Sequence, residues 1–554
     1  MKYRILLYRL FLGCILLLGS QIAIAGVGAV AMHNSYAAVA AEKVLRDGGN
    51  AVDAAITAAF VLAVTSPEAG NIGGGGFMVS YMDGEAAFLD FRERAPNKAE
   101  RDMYLDEGGN VIPAASLVGG KASGVPGTVQ GMTAAHQRYG SLPWKRLLQP
   151  AIALAKNGFT VPLALAEYAQ EKIVEVAATT NFATYFSHMK RGENFKQMEL
   201  AATLQRIADD PEDFYTGVIA GQIAAQMAKS GGLITLEDLA GYKAVWRPPL
   251  QAQWRGYTLL TAPPPSSGGF ALIQLLYMHD FASEHFRGVW HNSAQYVHLL
   301  AEIEKRVFAD RAEYLGDPDH VQVPLQKLLE KKYLARRARE INPTAISPTV
   351  EVLPGLESSD TTHLSVLDEH GNAVSLTYTL NWEFGSGVVV EGAGFVLNNE
   401  MDDFSAKPGV KNKFGVIGNA NNAIEPGRRM LSSMTPTILL KDDKPALVLG
   451  TRGGSTIFTS VFQVILNLYD YDMSLQAAVD ATRFHHQLPD AFLLRHDARE
   501  IPANTRRDLE AMGYSVQANS WGDIGEINAI RIDGDTVQAA TDVRDAGEAR
   551  LIQR

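Results

Sequence analysis

Apolar positions recur with helical spacing near the start of the chain. Asn34-Ser35 can cap a helix running to Leu45, which Gly48-Gly49 would end, and Asp53 to Val64 reads as a second, alanine-rich helix. The run Asn71-Ile72-Gly73-Gly74-Gly75-Gly76-Phe77 then leads into two short strand-like segments, Met78–Tyr81 and Ala86–Asp90. Four glycines entering a strand imply tight backbone approach to something. From about 140 to 345 helical stretches alternate with loops, and Pro263 to Gly269 forms a rigid loop before a helix from Phe270. Residues 341–360 are weakly periodic and read as an exposed linker. Beyond it the period becomes two. Thr362–Leu367, a turn at 368–372 and Ala373–Leu380 predict a hairpin, and Val388–Leu397 predicts a further strand. Residues 405–430 read as a surface loop. Ala446–Leu449 predicts a strand entering Gly450-Thr451-Arg452-Gly453-Gly454-Ser455, followed by an apolar helix to about Leu468. Helices around clustered strands predict layered α/β packing rather than βαβ alternation.

The N-terminal segment changes the picture of the compartment. Lys2, Arg4 and Arg9 precede an apolar run, Leu10–Leu18, and Ala23-Ile24-Ala25 is a small-x-small cleavage site. Residues 1–25 are therefore expected to be a signal peptide, with the product periplasmic or secreted. A lipidated Cys14 fits less well because the apolar run continues past it. A retained anchor fits less well because that run is short for a membrane span. Losing this segment takes the formal charge from −11 to −14 and removes Cys14, the only cysteine. Disulfides, thiol nucleophiles and Cys-ligated metals are then excluded. The acidic balance and the lack of a basic face exclude a nucleic-acid partner.

Most familiar catalytic signatures are absent. There is no Gly-x-Ser-x-Gly, no His-Glu-x-x-His, and Gly119-Gly120-Lys121 is followed by Ala122 rather than Ser or Thr. His485-His486 reads as a structural pair. What stands out is Asp360-Thr361-Thr362-His363, a threonine pair starting a strand directly after the linker. An internal threonine hydroxyl is a poor nucleophile. A cut before it would free an α-amine, of pKa about 7.7–8.0, to act as base.

Asp360 to Val366 resembles the processing site of the γ-glutamyltransferase (glutathione hydrolase) family of N-terminal-nucleophile hydrolases. Further blocks are similar to that family in order: Asn71–Phe77, Asp90–Pro96, Gly124–Gly127, Pro263–Gly269, Ala309–Glu313, Asn398–Phe404, Leu431–Pro436 and Gly453–Ser455. The resemblance implies a four-layer αββα sandwich. It also implies cleavage between Asp360 and Thr361 into a large subunit, 26–360, and a small subunit, 361–554, which stay together as a heterodimer. Thr361 would be the nucleophile, with Thr379 and Asn381 bonding the nucleophile and substrate. Gly453 and Gly454 would donate to the oxyanion. Arg92, Ser432 and Ser433 would hold the substrate α-carboxylate, and Glu400 and Asp403 its α-ammonium. Phe414 would gate a lid loop. No cofactor or metal is implied. The implied substrates are glutathione and other γ-glutamyl compounds, with water, an amino acid or a dipeptide as acceptor. Two alternatives stand beside this reading, a glutaryl-type β-lactam acylase of the same family and an unprocessed binding protein.

Overall fold

The computed structural model describes residues 21–23, 26–348, 361–407, 420–499, 501–519, 522–544 and 546–553. Most of the signal segment with Cys14, the linker from 349, Asp360 and Phe414 lie outside the described residues.

Two seven-stranded sheets form the centre. The first runs in the order Glu548–Ile552, Gly28–Met32, Thr361–Leu367, Ala373–Thr379, Gly75–Met82, Glu85–Phe91, Val245–Arg247. The second runs Gln21–Ala23, Thr536–Thr541, Asn528–Asp533, Lys444–Gly450, Thr437–Lys441, Tyr257–Thr261, Leu250–Trp254. Neighbouring strands in both sheets are antiparallel.

Strand alternation sorts the residues into layers, because successive side chains point to opposite faces. Ala29, Ala31, Phe77, Val79 and Phe88 pack between the sheets against Leu260, Ile438, Val448 and Ile530. Their neighbours Val30, Met32, Met78, Leu364, Val366 and Leu376 face the other way, onto a helical layer. That layer includes Ser35–Arg46 and Ala51–Thr65, the latter buried along its whole length, which its alanine content permits. On the far side Leu259, Leu439, Leu447 and Leu449 meet Gly268–Phe281, Ala294–Tyr314 and Ile457–Tyr469. The arrangement is an αββα sandwich, as expected.

Local differences have local causes. The second helix begins at Ala51 because Asn50 caps it reciprocally with Asp53. Val388–Leu397 is not a strand. Only Val389 and Val396 bridge, and Gly392 and Gly394 between them take positive φ, of 75° and 73°, turning the chain back. The first part of the expected linker is docked: the Ser347 hydroxyl donates to Glu302 Oε2 at 2.5 Å and Ile341 is buried.

Candidate active site

Thr361 opens its strand directly opposite Thr379, the last residue of the paired strand, and Thr379 is opposed on its other side by Gly75. Thr379 is buried, and its Oγ1 accepts a 2.8 Å hydrogen bond from the Asn381 amide. The chain leaves the sheet there: Asn381 takes a φ of 78°, a conformation that Asn tolerates better than most residues. Asn381 Nδ2 donates to the Asn399 carbonyl at 3.0 Å, while its buried Oδ1 has no hydrogen-bond partner among the described residues.

Gly453 and Gly454 lie where the strand Lys444–Gly450 passes through a short 3₁₀ turn, Gly454–Thr456, into the helix Ile457–Tyr469. Their φ values are 126° and 56°, and Thr456 Oγ1 donates to the Gly453 carbonyl at 2.7 Å. Backbone N–H groups at the start of a helix favour negative charge. A cavity of about 180 Å³ opens beside Gly453. It is lined in part by His33, Glu68, Glu383, Arg452 and Glu526, with Arg92, Glu400 and Asp403 outside that lining.

The charged cluster sits around Arg92. The Arg92 backbone amide donates to Asp90 Oδ1 at 3.0 Å, which fixes the strand end from which the side chain projects. The guanidinium meets Glu400 Oε2 at 2.7 Å and Glu93 Oε2 at 3.4 Å, and also pairs with Asp403. All four groups are buried. Burial opposes the Arg92 charge, but Glu400, Glu93 and Asp403 outweigh it and hold the pKa above its usual range. Burial pushes the Glu400 carboxyl well above the usual carboxylate range, against the pull of Arg92. Burial likewise raises Glu93, to about 7. The physical content is a dry site with more carboxylates than cations, where a further positive charge is welcome. Ser432 and Ser433 lie close by, since Arg92 also reaches the carbonyls of Met430 and Leu431 at 3.4 Å. The buried Ser433 hydroxyl has no hydrogen-bond partner among the described residues.

A family profile described as Gamma-glutamyltranspeptidase matches residues 37–552. The chain belongs to the γ-glutamyltranspeptidase family. It is 56% identical over 528 residues to a glutathione hydrolase proenzyme of Pseudomonas aeruginosa, covering 95% of each chain. A solved γ-glutamyltranspeptidase from Pseudomonas nitroreducens, complexed with L-DON, is 56% identical at a TM-score of 0.57. The match covers 58% of this chain and 96% of that one. A cephalosporin acylase from Bacillus halodurans is 28% identical with a TM-score of 0.83, covering 96% of each chain. The protein is thus an enzyme with the N-terminal-nucleophile fold.

Within this γ-glutamyltranspeptidase chain, the expected residues fall into two groups. Thr361 is opposite Thr379 in the ladder, with Asn381 beside Thr379, while Arg92, Glu400 and Asp403 form one ion-paired cluster. Arg92 is paired with the two acids assigned to the substrate ammonium, a contact that their sequence spacing does not suggest. Three further residues support the site. Glu93 is part of the cluster. Arg311 is fully buried, and its Nε donates to Ser267 Oγ at 2.8 Å. Asn398 Nδ2 donates to the carbonyls of Gly73 and Gly124, both at 2.8 Å, and its Oδ1 accepts from the Glu400 amide at 3.1 Å. All three belong to the blocks quoted above, and a buried charge or amide in such a block was the available signal.

His485 and His486 are a structural pair. Both are buried, their pKa values pushed down by burial to about 4 and about 3. Among the described residues no group of three or more His, Cys, Asp or Glu is arranged to hold a metal. Among the described residues no helix is long and apolar enough to cross a membrane.

Proposed function

We propose that this protein is a self-cleaving γ-glutamyltransferase and glutathione hydrolase. The observation that carries this reading is the buried cluster of Arg92 with Glu93, Glu400 and Asp403. A γ-glutamyl group ends in an α-carboxylate and an α-ammonium. Arg92 supplies a fork for the carboxylate, and the acids supply counter-charge for the ammonium. The match to a glutathione hydrolase proenzyme over 95% of each chain supports the same substrate class.

In the precursor, Thr361 Oγ attacks the Asp360 carbonyl, and the peptide C–N bond breaks to leave an ester and a free Thr361 amine. Water opens the ester, giving residues 26–360 and 361–554. The solved Pseudomonas nitroreducens chain matches 58% of this one, close to the share that 26–360 represents, which supports this division. In the mature enzyme Thr361 Oγ attacks the γ-amide carbonyl, its own α-amine taking the proton and passing it to the leaving amine. Gly453 and Gly454 N–H groups stabilise the oxyanion. Water or an acceptor amine then takes the glutamyl group from the ester. Thr379, Asn381, Ser432 and Ser433 bond the nucleophile and donor. Phe414 gates the site. The signal segment 1–25 directs the chain to the periplasm or outside the cell, and the two pieces remain a heterodimer.

The second reading, a glutaryl-type acylase, draws on the likeness to the cephalosporin acylase. A glutaryl donor lacks the ammonium, so it would bring no cation to a cluster in which three acids face the single Arg92. Purified full-length protein, followed on a denaturing gel with N-terminal sequencing and assayed on γ-glutamyl and glutaryl anilides, tests both. Two bands, the smaller beginning Thr-Thr-His-Leu, with turnover of the γ-glutamyl anilide are expected. A persistent single band sinks the nucleophile assignment and favours a binding protein. Preference for the glutaryl anilide favours the acylase.

A further inference from the structure

The glycine run 71–77 closes on Thr379. A Cβ on Gly74 would lie 2.0 Å from the Thr379 carbonyl oxygen and 2.8 Å from Asn71 Oδ1, so the backbone passes where no side chain fits. Asn71 fills the space that this leaves. Its Nδ2 donates to the Thr379 carbonyl at 2.8 Å and to the Ala69 carbonyl at 3.0 Å. Its Oδ1 accepts from the Gly74 amide at 2.9 Å and from Thr128 Oγ1 at 2.8 Å. Both donor and both acceptor capacities of the amide are used, and the partners fix which way it points. Thr128 is itself tied down, its amide donating to the Gly74 carbonyl at 3.0 Å as the helix Thr128–Tyr139 begins. Asn71, Thr379 and Thr128 are all buried.

We propose that Asn71 is a positioning residue for the nucleophile, acting through the Thr379 carbonyl and oriented by Thr128; this rests on the reading of Thr361 as nucleophile. Thr379 is the end of its strand, and beyond it the chain turns sharply at Asn381. Thr379 is paired on both sides, to Thr361 and to Gly75, but each is the last pair of its ladder, and terminal pairs fray. Asn71 holds it from the 26–360 side of the cleavage point. The Thr379 hydroxyl and the Thr361 backbone opposite it then keep one geometry. Misplacing reacting groups by about 1 Å can cost on the order of 100-fold in rate.

The test uses the full chain with Asn71→Asp, Thr128→Val and Thr128→Ser beside the wild type. It reads self-cleavage on gels, kcat and KM of the processed enzyme on a γ-glutamyl anilide, and Tm. Asn71→Asp keeps the acceptor and loses the donor to Thr379. Thr128→Val loses the hydroxyl that orients the amide, and Thr128→Ser keeps it. Slower self-cleavage and a kcat at least tenfold lower are expected for Asn71→Asp and Thr128→Val. KM should stay within twofold, and Thr128→Ser should behave as wild type. A kcat within twofold of wild type in both variants overturns the proposal, as does a loss carried by KM or by Tm alone. If Asn71→Asp does not fold, the Thr128 pair decides. A wild type that neither cuts nor turns over fails the parent reading instead.

Discussion

Thr361 and Thr379 are direct cross-strand partners, and the Thr379 hydroxyl accepts from the Asn381 amide on the outgoing turn. The cross-strand neighbour of Thr361 is thereby held by the chain's own exit from the sheet. Thr379→Val removes that acceptor with little change in shape. It should slow both self-cleavage and turnover by roughly 100-fold, the scale of a lost proton-handling partner. Thr379→Ser should keep most of both. Equal rates for the two variants in a timed gel and a stopped assay would remove the hydroxyl from the mechanism.

Arg92 is a fork among acids, so replacing it with lysine preserves charge and loses the two-point grip. Charged hydrogen bonds contribute about 1.5–3 kcal/mol, so Arg92→Lys should raise donor KM by roughly 10- to 100-fold. The acyl-transfer chemistry at Thr361 should change less. Initial rates across donor concentration give the answer, and an unchanged KM would detach Arg92 from the carboxylate.

Gly453 combines a φ of 126° with a site where a Cβ would lie 2.5 Å from Thr456 Oγ1. Gly453→Ala should therefore re-aim the N–H proposed to receive the oxyanion. A lost oxyanion donor costs about 2.7–4 kcal/mol, or roughly 10² to 10³ in kcat. Donor KM of the processed variant should remain near that of wild type. A kcat within a few-fold of wild type would assign the oxyanion elsewhere.

His363 lies between the sheets two residues after Thr361, bonded to Thr377 Oγ1 at 2.8 Å and Ser365 Oγ at 3.1 Å. Burial pushes its pKa down from 6.5 to about 3. As pH falls below 6.5 the unfolded chain takes the proton and the folded one does not. The imidazole's contribution to stability is complete above that value and declines towards about pH 3. Glutamine does not titrate, so the deficit of His363→Gln should shrink by roughly 1 kcal/mol between pH 7.5 and 5.5. Urea denaturation of the uncleaved Thr361→Ala chain with and without this change measures it. A deficit independent of pH would mean that the folded imidazole titrates normally.

Local periodicity carried much of the fold. The hairpin 361–379 follows from strict alternation, and the alanine-rich helices from their spacing and caps. Val388–Leu397 is rich in valine and other apolar residues, yet positive-φ glycines fold it back, and the pattern alone does not reveal where a glycine will take that conformation. The order of strands was not legible, because Gly28–Met32 and Thr361–Leu367 pair across more than half the chain. The Arg92 contacts were hidden for the same reason, since Asp403 lies 311 residues away. Family blocks named both partners without saying that they touch. The docking of Ser347 on Glu302 uses polar contacts, which leave no hydrophobic period to read.

The first sheet interleaves strands from both sides of the proposed cut. Gly28–Met32 lies between Glu548–Ile552 and Thr361–Leu367, and Gly75–Met82 follows Ala373–Thr379. Pulling the pieces apart would tear three ladders in this sheet and one, Thr437–Lys441 on Tyr257–Thr261, in the other, and leave bare edges on both pieces. The cut would thus make the molecule a one-way construction. Its two halves find their places only while they are one chain, and no longer carry the connection that guided them. Heat or acid that opens the mature form should then destroy it for good, and its lifetime would be set by how rarely it opens at all.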